Sequence, residues 1–254
     1  MKDKQAFREH VWALLERAGA SRFPGARGRI PNYLGAEAAA RGLASTKQWG
    51  AAEVVKANPD APQLPVRALA LEEEKILYMA VPRLRQAKPF LLLDPRKLGH
   101  EPHKAASIRG ASSVGQPVSI SRMRPVDLVV CGSVAVNRKG ARIGKGGGFS
   151  DLEFGLLTEA GLLSDATTVA TTVHPLQIME EDLPEAKHDF RVDLIVTPDE
   201  IIRPRRTRHP PGIVWSELDE AKIAEIPVLQ RLAFSVPLGG RTRPSPPPER
   251  ADPD

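Results

Sequence analysis

The chain of 254 residues contains one cysteine, Cys131. That excludes an intrachain disulfide and suits a reducing, cytoplasmic setting. Cys131 closes an apolar run, which predicts a buried, unreactive thiol rather than a nucleophile. Aromatic residues are scarce at 5%, so the core must be built from Leu, Val, Ile and Ala. No apolar stretch approaches the roughly 18–20 residues needed to span a membrane, and the mixed-charge start, MKDKQAFREH, has no signal-peptide core. Acidic residues do not balance the basic ones: the formal net charge is +5. A basic balance suits phosphates, nucleotides or nucleic acid, although a basic, Pro-rich tail accounts for part of it equally well.

Ordinary hydrophobic and charged fractions, 41% and 26%, mark a globular chain long enough for one large α/β domain or two small ones. Phe7, Val11, Leu14 and Ala18 recur at helical spacing, predicting a helix over 2–18. Short helices are expected over 36–43, 46–52 and 66–71. Apolar runs predict strands over 54–57, 75–81, 90–93, 128–136, 168–173 and 194–197, with an edge strand over 200–203. A helix is expected over 152–160, closed by Gly161, and a last one over 221–232, interrupted at Pro227. Continuous apolar strands alternating with helices predict a largely parallel sheet covered on both faces. Residues 99–125 lack periodicity and read as a long loop or lid. The predicted organisation is a single α/β domain over 1–235 followed by a disordered, Pro-rich tail over 236–254.

The most informative segment is Gly140-Ala-Arg-Ile-Gly-Lys-Gly-Gly-Gly-Phe-Ser-Asp151. It lies between a predicted strand and a predicted helix. Glycine permits positive φ and close approach of backbone N–H groups to an anion. A helix N-terminus adds oriented donors, and Arg142 and Lys145 add full charge. The spacing is neither the Walker A pattern, since Gly146 follows Lys145, nor the dinucleotide fingerprint, since Phe149 takes the last glycine's place. A ligand-free β-turn is the alternative. Asp151 can act as a helix N-cap or, beside a polyphosphate, as a magnesium ligand. Lys4 and Arg8 share a helix face one turn apart, an arrangement that becomes favourable with an anion between them.

The run Arg142-Ile-Gly-Lys-Gly-Gly-Gly-Phe-Ser-Asp151 resembles the Arg-Leu-Gly-x-Gly-x-Gly-Tyr-Tyr-Asp signature of 5-formyltetrahydrofolate cyclo-ligases. Other features agree in order: Lys4 and Arg8 on the first helix, the strand 127–131, Gln177, Leu183-Pro184, His188-Asp189 and the strand 193–197. The resemblance implies a three-layer α/β fold of the NagB/RpiA/CoA-transferase-like kind. It also implies use of ATP and Mg²⁺ to convert 5-formyltetrahydrofolate to 5,10-methenyltetrahydrofolate. Carried onto these positions, Lys4, Arg8, Arg142, Gly144, Lys145, Gly146, Gly147, Gly148 and Phe149 would bind nucleotide. Arg142 and Lys145 would be catalytic, and Asp151 would serve the metal. Tyr33, Glu37, His174 and Gln177 are the candidates for the substrate side.

Phe149-Ser150 replaces the signature's Tyr-Tyr, and the family's Glu-Ile-Asp-Thr motif has no clear counterpart. With Asp151-Leu-Glu-Phe154 and Val173-His174-Pro175, these departures resemble a divergent branch, the methenyltetrahydrofolate synthase domain-containing proteins. Two readings therefore stand. One is an ATP-dependent enzyme on a folate or related heterocycle, monomeric or homodimeric. The other is a paralogue without folate activity, using a thiamin-related substrate or serving as a nucleotide- or RNA-associated module. His100 and His103 read as loop histidines, because Pro102 argues against a regular helix and no further ligands complete a zinc site. His188-Asp189 reads as a cap or turn, and Tyr78 and Met79 as core. The basic run 203–209 lacks interleaved aromatics for base stacking and reads as a solvated connector, so nucleic acid is not the expected partner.

Overall fold

In the computed structural model, residues 3–98, 102–205 and 209–235 are described. Helix α1 (Lys4–Arg17) is followed by α2 (Ala36–Ala44), α3 (Lys47–Ala51), β1 (Val54–Ala57), α4 (Leu64–Glu72), β2 (Ile76–Ala80) and β3 (Phe90–Leu93). Next come α5 (Pro102–Ala106), α6 (Ile108–Val114), β4 (Gln116–Val118), β5 (Leu128–Cys131), β6 (Ala135–Asn137) and β7 (Arg142–Ile143). The chain continues through α7 (Phe149–Glu159), β8 (Thr168–Thr172), β9 (Ile178–Met179), β10 (Leu194–Val196) and β11 (Ile201–Ile202), and the described part ends with α8 (Glu220–Glu225) and α9 (Pro227–Ser235).

An eight-stranded sheet in the order β11-β10-β8-β5-β1-β2-β3-β4 forms the middle layer. The run β10-β8-β5-β1-β2 is parallel, as continuous apolar strands predict, while at the margins β11 pairs antiparallel with β10, β3 with β2, and β4 with β3. Alternation along each strand sends side chains to opposite faces. Val55, Ala57, Leu77 and Val130 pack with α2 and α4 residues such as Leu43 and Val66. Val54, Tyr78, Val129 and Cys131 pack on the other face with Phe154 and Leu157 of α7 and Leu229 of α9. These three layers are the α/β architecture expected. A small second sheet, β7-β6-β9, carries α1 on a core of its own that includes Val11, Leu15 and Ile143.

Three expectations are corrected. Residues 102–125 are not a lid: they hold α5, α6 and β4, and Ala105, Ala106 and Ala111 pack into the core. Their helices, of five and seven residues, are too brief to show a period. Pro102 opens α5 instead of blocking it, because the first helical residue needs no backbone N–H. His103, in that helix, pairs with Glu72 at 2.8 Å on the surface. The strand over 128–136 is two strands. The chain leaves the main sheet at Gly132, where a Cβ would meet Ile30 at 2.9 Å, and β6 joins the second sheet. His100, residues 206–208 of the basic run and the tail 236–254 lie outside the described residues.

Candidate functional site

The glycine loop sits where the sheet's connectivity reverses. From β1 the chain builds β2, β3 and β4 to one side, then returns to build β5, β8 and β10 on the other. In open parallel sheets, ligands settle outside the carboxyl ends of the strands at such a point. Asn58 follows β1 and Gly132 follows β5, and both are tied to the loop. Asn58 Nδ2 donates to Ser150 Oγ at 3.2 Å, and Arg142 Nη1 donates to the Gly132 carbonyl at 3.0 Å.

The loop turns with Gly146 at φ 104° and Gly148 at φ 68°, the region that only glycine enters without strain. Gly144 and Gly147 have ordinary φ. Gly148 occupies the N-cap position of α7, so Asp151 is not the N-cap; it lies in the helix's first turn. Helix α7 therefore begins three residues earlier than its apolar pattern predicts, with the first-turn N–H groups beside the loop.

The predicted cations meet here, but most are partnered. Arg142 is buried; its Nη2 donates to Asp151 Oδ1 at 3.0 Å and its guanidinium lies 4.2 Å from the Phe190 ring. Burial is the largest single influence and opposes the charge, yet Asp151, Cys131 and Asp189 together hold the Arg142 pKa above its ordinary value. Arg142 thus braces the loop from beneath. Lys145 Nζ reaches Asp60 Oδ1 at 2.9 Å. Lys4 pairs with Asp189, whose other role is to accept the Ala186 N–H within a turn. Arg8 donates from Nε to the Gly144 carbonyl at 2.7 Å and makes no ion pair among the described residues; partial burial lowers its pKa.

Sequence reasoning missed several residues. Lys56 is buried on β1 and forms an ion pair with Glu153 of α7, while its Nζ also donates to Asn58 Oδ1 at 2.7 Å. Arg67 is buried and ties this turn down, with Nε on the Ala106 carbonyl at 2.8 Å and Nη1 on the Asn58 and Asp60 carbonyls. Burial brings its pKa down to about 10. The cue was Lys56 within an otherwise apolar strand, with Asn58-Pro-Asp60 immediately after. Lys222 of α8 was also missed. Its Nζ donates to the Gly147 carbonyl at 3.1 Å and sits 3.7 Å from the Phe149 ring centre. A cleft of about 230 Å³ opens between Gly146–Gly148 and Asp151 on one side and Val214, Leu218 and Lys222 on the other.

The four substrate-side candidates lie apart from this cleft. Tyr33 is buried, its ring 6.0 Å from that of His174, and burial raises its pKa. His174 caps a short turn, Nδ1 accepting the Leu176 N–H at 3.1 Å, and burial lowers its pKa. Gln177 is buried and occupied: Nε2 donates to the Ser133 carbonyl at 2.8 Å, and Oε1 accepts the His174 N–H at 2.8 Å. Glu37 is exposed on α2.

A model of the 5-formyltetrahydrofolate cyclo-ligase family matches residues 1–198. The chain belongs to this family. The cyclo-ligase match takes in the loop, its cations and the reversal point, and ends before the segment that carries Lys222. The methenyltetrahydrofolate synthase domain-containing protein of Mus musculus is 39% identical over 235 residues, covering 90% of this chain and 63% of that protein. The Bos taurus protein of the same name is 37% identical over 244 residues, covering 94% and 64%. The chain therefore spans less than two thirds of the length of these relatives. The solution structure of Aquifex aeolicus 5,10-methenyltetrahydrofolate synthetase aligns over 81% of this chain and 94% of that one, with a TM-score of 0.52 and 23% identity, a likeness of fold.

Proposed function

We propose that this cyclo-ligase family member is an ATP- and Mg²⁺-dependent enzyme that converts 5-formyltetrahydrofolate to 5,10-methenyltetrahydrofolate or closes a ring on a related heterocycle. The observation carrying the proposal is the glycine loop at the sheet's reversal point, where positive-φ glycines and a helix N-terminus border a cleft with Lys222, and where Arg8 and Lys145 lie on the loop itself. Phosphoryl transfer needs little from a protein beyond positioning and charge neutralisation, and these groups suit both. Backbone donors of Gly146, Gly147 and Gly148 and the ammonium of Lys145 would hold phosphate oxygens. Lys145, itself half-exposed, would exchange Asp60 for the anion, since an ion pair with one solvated member is weak.

Asp151 fits magnesium, a hard cation that takes one or two carboxylates together with phosphate oxygens. One of its oxygens is engaged by Arg142, and its side chain borders the cleft. The metal would neutralise phosphate charge when bound. Arg142 then orients the Asp151 carboxylate, a positioning role in place of direct phosphate contact. Among the described residues no group of three or more His, Cys, Asp or Glu gathers as a metal centre. No helix of the described residues is long and apolar enough to cross a membrane. The proposed organisation is one domain over 1–235, acting on small molecules in the cytoplasm.

The relatives' names carry the folate assignment, whereas Phe149 and Ser150 supply a second reading. The Phe149 ring lies beneath Lys222 and Ser150 Oγ is held by Asn58, so neither reproduces a phenol hydroxyl. A changed second substrate follows naturally from that difference. Calorimetry with ATP-Mg, followed by ATP turnover with and without 5-formyltetrahydrofolate and by absorbance of the methenyl product, tests both readings. Product formation supports the folate enzyme. ATP binding without product supports the paralogue with another heterocycle, and absence of ATP binding overturns both.

A further inference from the structure

Residues 209–225 cross the outer surface of α7 and reach the glycine loop. His209 packs its ring 5.3 Å from that of Phe154. The Ile213 N–H donates to Glu159 Oε1 at 3.0 Å, and Ile213, Trp215, Leu218 and Ile223 pack against the core on that face. The crossing depends on two glycines. A Cβ at Gly155 of α7 would stand 3.1 Å from the Gly212 carbonyl, and Gly212 itself has φ 157°. Farther on, His188 Nδ1 lies 3.4 Å from Glu217, and Arg85 binds Glu225 at 2.8 Å. A strap pinned at so many points delivers Lys222 to a fixed place above Gly147.

Lys222 differs from most of the loop's other cations. Lys4, Arg142 and Lys145 are each ion-paired to a carboxylate, at Asp189, Asp151 and Asp60. Lys222 makes no ion pair among the described residues. An ammonium has three donors; the Gly147 carbonyl takes one, and Phe149 offers its π face. The group borders the cleft, which Glu217 and Asp219 also line, with donors to spare and no carboxylate of the described residues within ion-pair distance. An arriving anion therefore displaces no carboxylate to reach it.

We propose that the strap of residues 209–225, which lies beyond the family-matched segment, supplies Lys222 as a phosphate-contacting cation of the glycine loop. The inference rests on the nucleotide-binding reading above. It makes the strap a working wall of the nucleotide cleft, so that affinity for polyphosphate depends on residues outside the cyclo-ligase core.

The test is calorimetric titration of the full chain with ATP-Mg and with adenosine. Lys222→Met keeps an apolar stem over Phe149 and removes the charge; it is expected to weaken ATP roughly 10- to 100-fold, the loss of a charge-assisted hydrogen bond. Lys222→Arg should restore affinity to within a few-fold, and adenosine should respond to neither substitution. Gly155→Ala lifts the strap without altering a loop residue. It should weaken ATP as well, and adding Lys222→Met to it should cost little more, because both act through one contact. Unchanged ATP affinity in Lys222→Met, with wild-type binding intact, overturns the inference alone. A wild-type chain that binds no ATP overturns the reading beneath it.

Discussion

Arg142 shows how a signature residue can serve its site indirectly. Its side chain is consumed by the Gly132 carbonyl, Asp151 and the face of Phe190. Removing one partner of a buried pair leaves the other uncompensated. Arg142→Ala should therefore lower stability by about 3–5 kcal/mol, read from urea denaturation, and its effect on ATP binding should be inseparable from that loss. Lys145→Ala, at a half-exposed position, should leave the denaturation midpoint nearly unchanged and weaken ATP in calorimetry. The same contrast applies to Lys56 and Glu153. Either single neutral substitution should destabilise by about 3–5 kcal/mol, whereas Lys56→Met with Glu153→Leu should recover most of it, because the paired charges gain little over well-packed apolar groups. Cys131 is fully buried and burial raises its thiol pKa, so alkylation should proceed only after unfolding, which mass spectrometry in native and denaturing buffer would show.

At the scale of elements, the loop and α7 are one device. Gly148 holds φ 68° with nothing within 4 Å of a built Cβ, so Gly148→Ala should act through backbone strain alone. The expected cost is about 1–2 kcal/mol, accompanied by weaker ATP binding because the loop's turn relaxes. Unchanged stability in thermal melts would show that the turn is not held there. Helix α7 began earlier than its apolar pattern because glycine can stand at an N-cap without any side-chain signal. Helices α5 and α6 escaped notice because five and seven residues hold too few turns to display a 3.6 period. Strand β1 showed its apolar run plainly, but a run cannot reveal that the lysine inside it faces a glutamate in α7.

For the whole molecule, sheet order is what gathers the site. Residues 8, 60, 145 and 222 are far apart in sequence; the reversal between β1 and β5 sets the glycine loop beside the turn after β1, and Arg8 of α1, Asp60 and Lys222 of α8 all contact that loop. The tail beyond residue 238 is rich in proline and charge with little apolar content. Deleting it should move the thermal midpoint by less than the roughly 2 °C that 1 kcal/mol shifts in a domain of this size. Deleting from residue 209 should instead lower the midpoint clearly, since Ile213, Leu218 and Leu229 pack on the core.

Local chemistry settled much of this protein in advance. Apolar runs marked the parallel strands, glycine spacing marked the loop that turns between β7 and α7, and the ordered matches around it marked the family, because each depends on neighbours along the chain. Tertiary structure alone decided the charge partners. It placed Arg142 under the loop, set Gln177 and Glu37 away from the cleft, and brought Lys222 over Gly147. Ion pairing and burial depend on distances across the fold, and no local pattern encodes them.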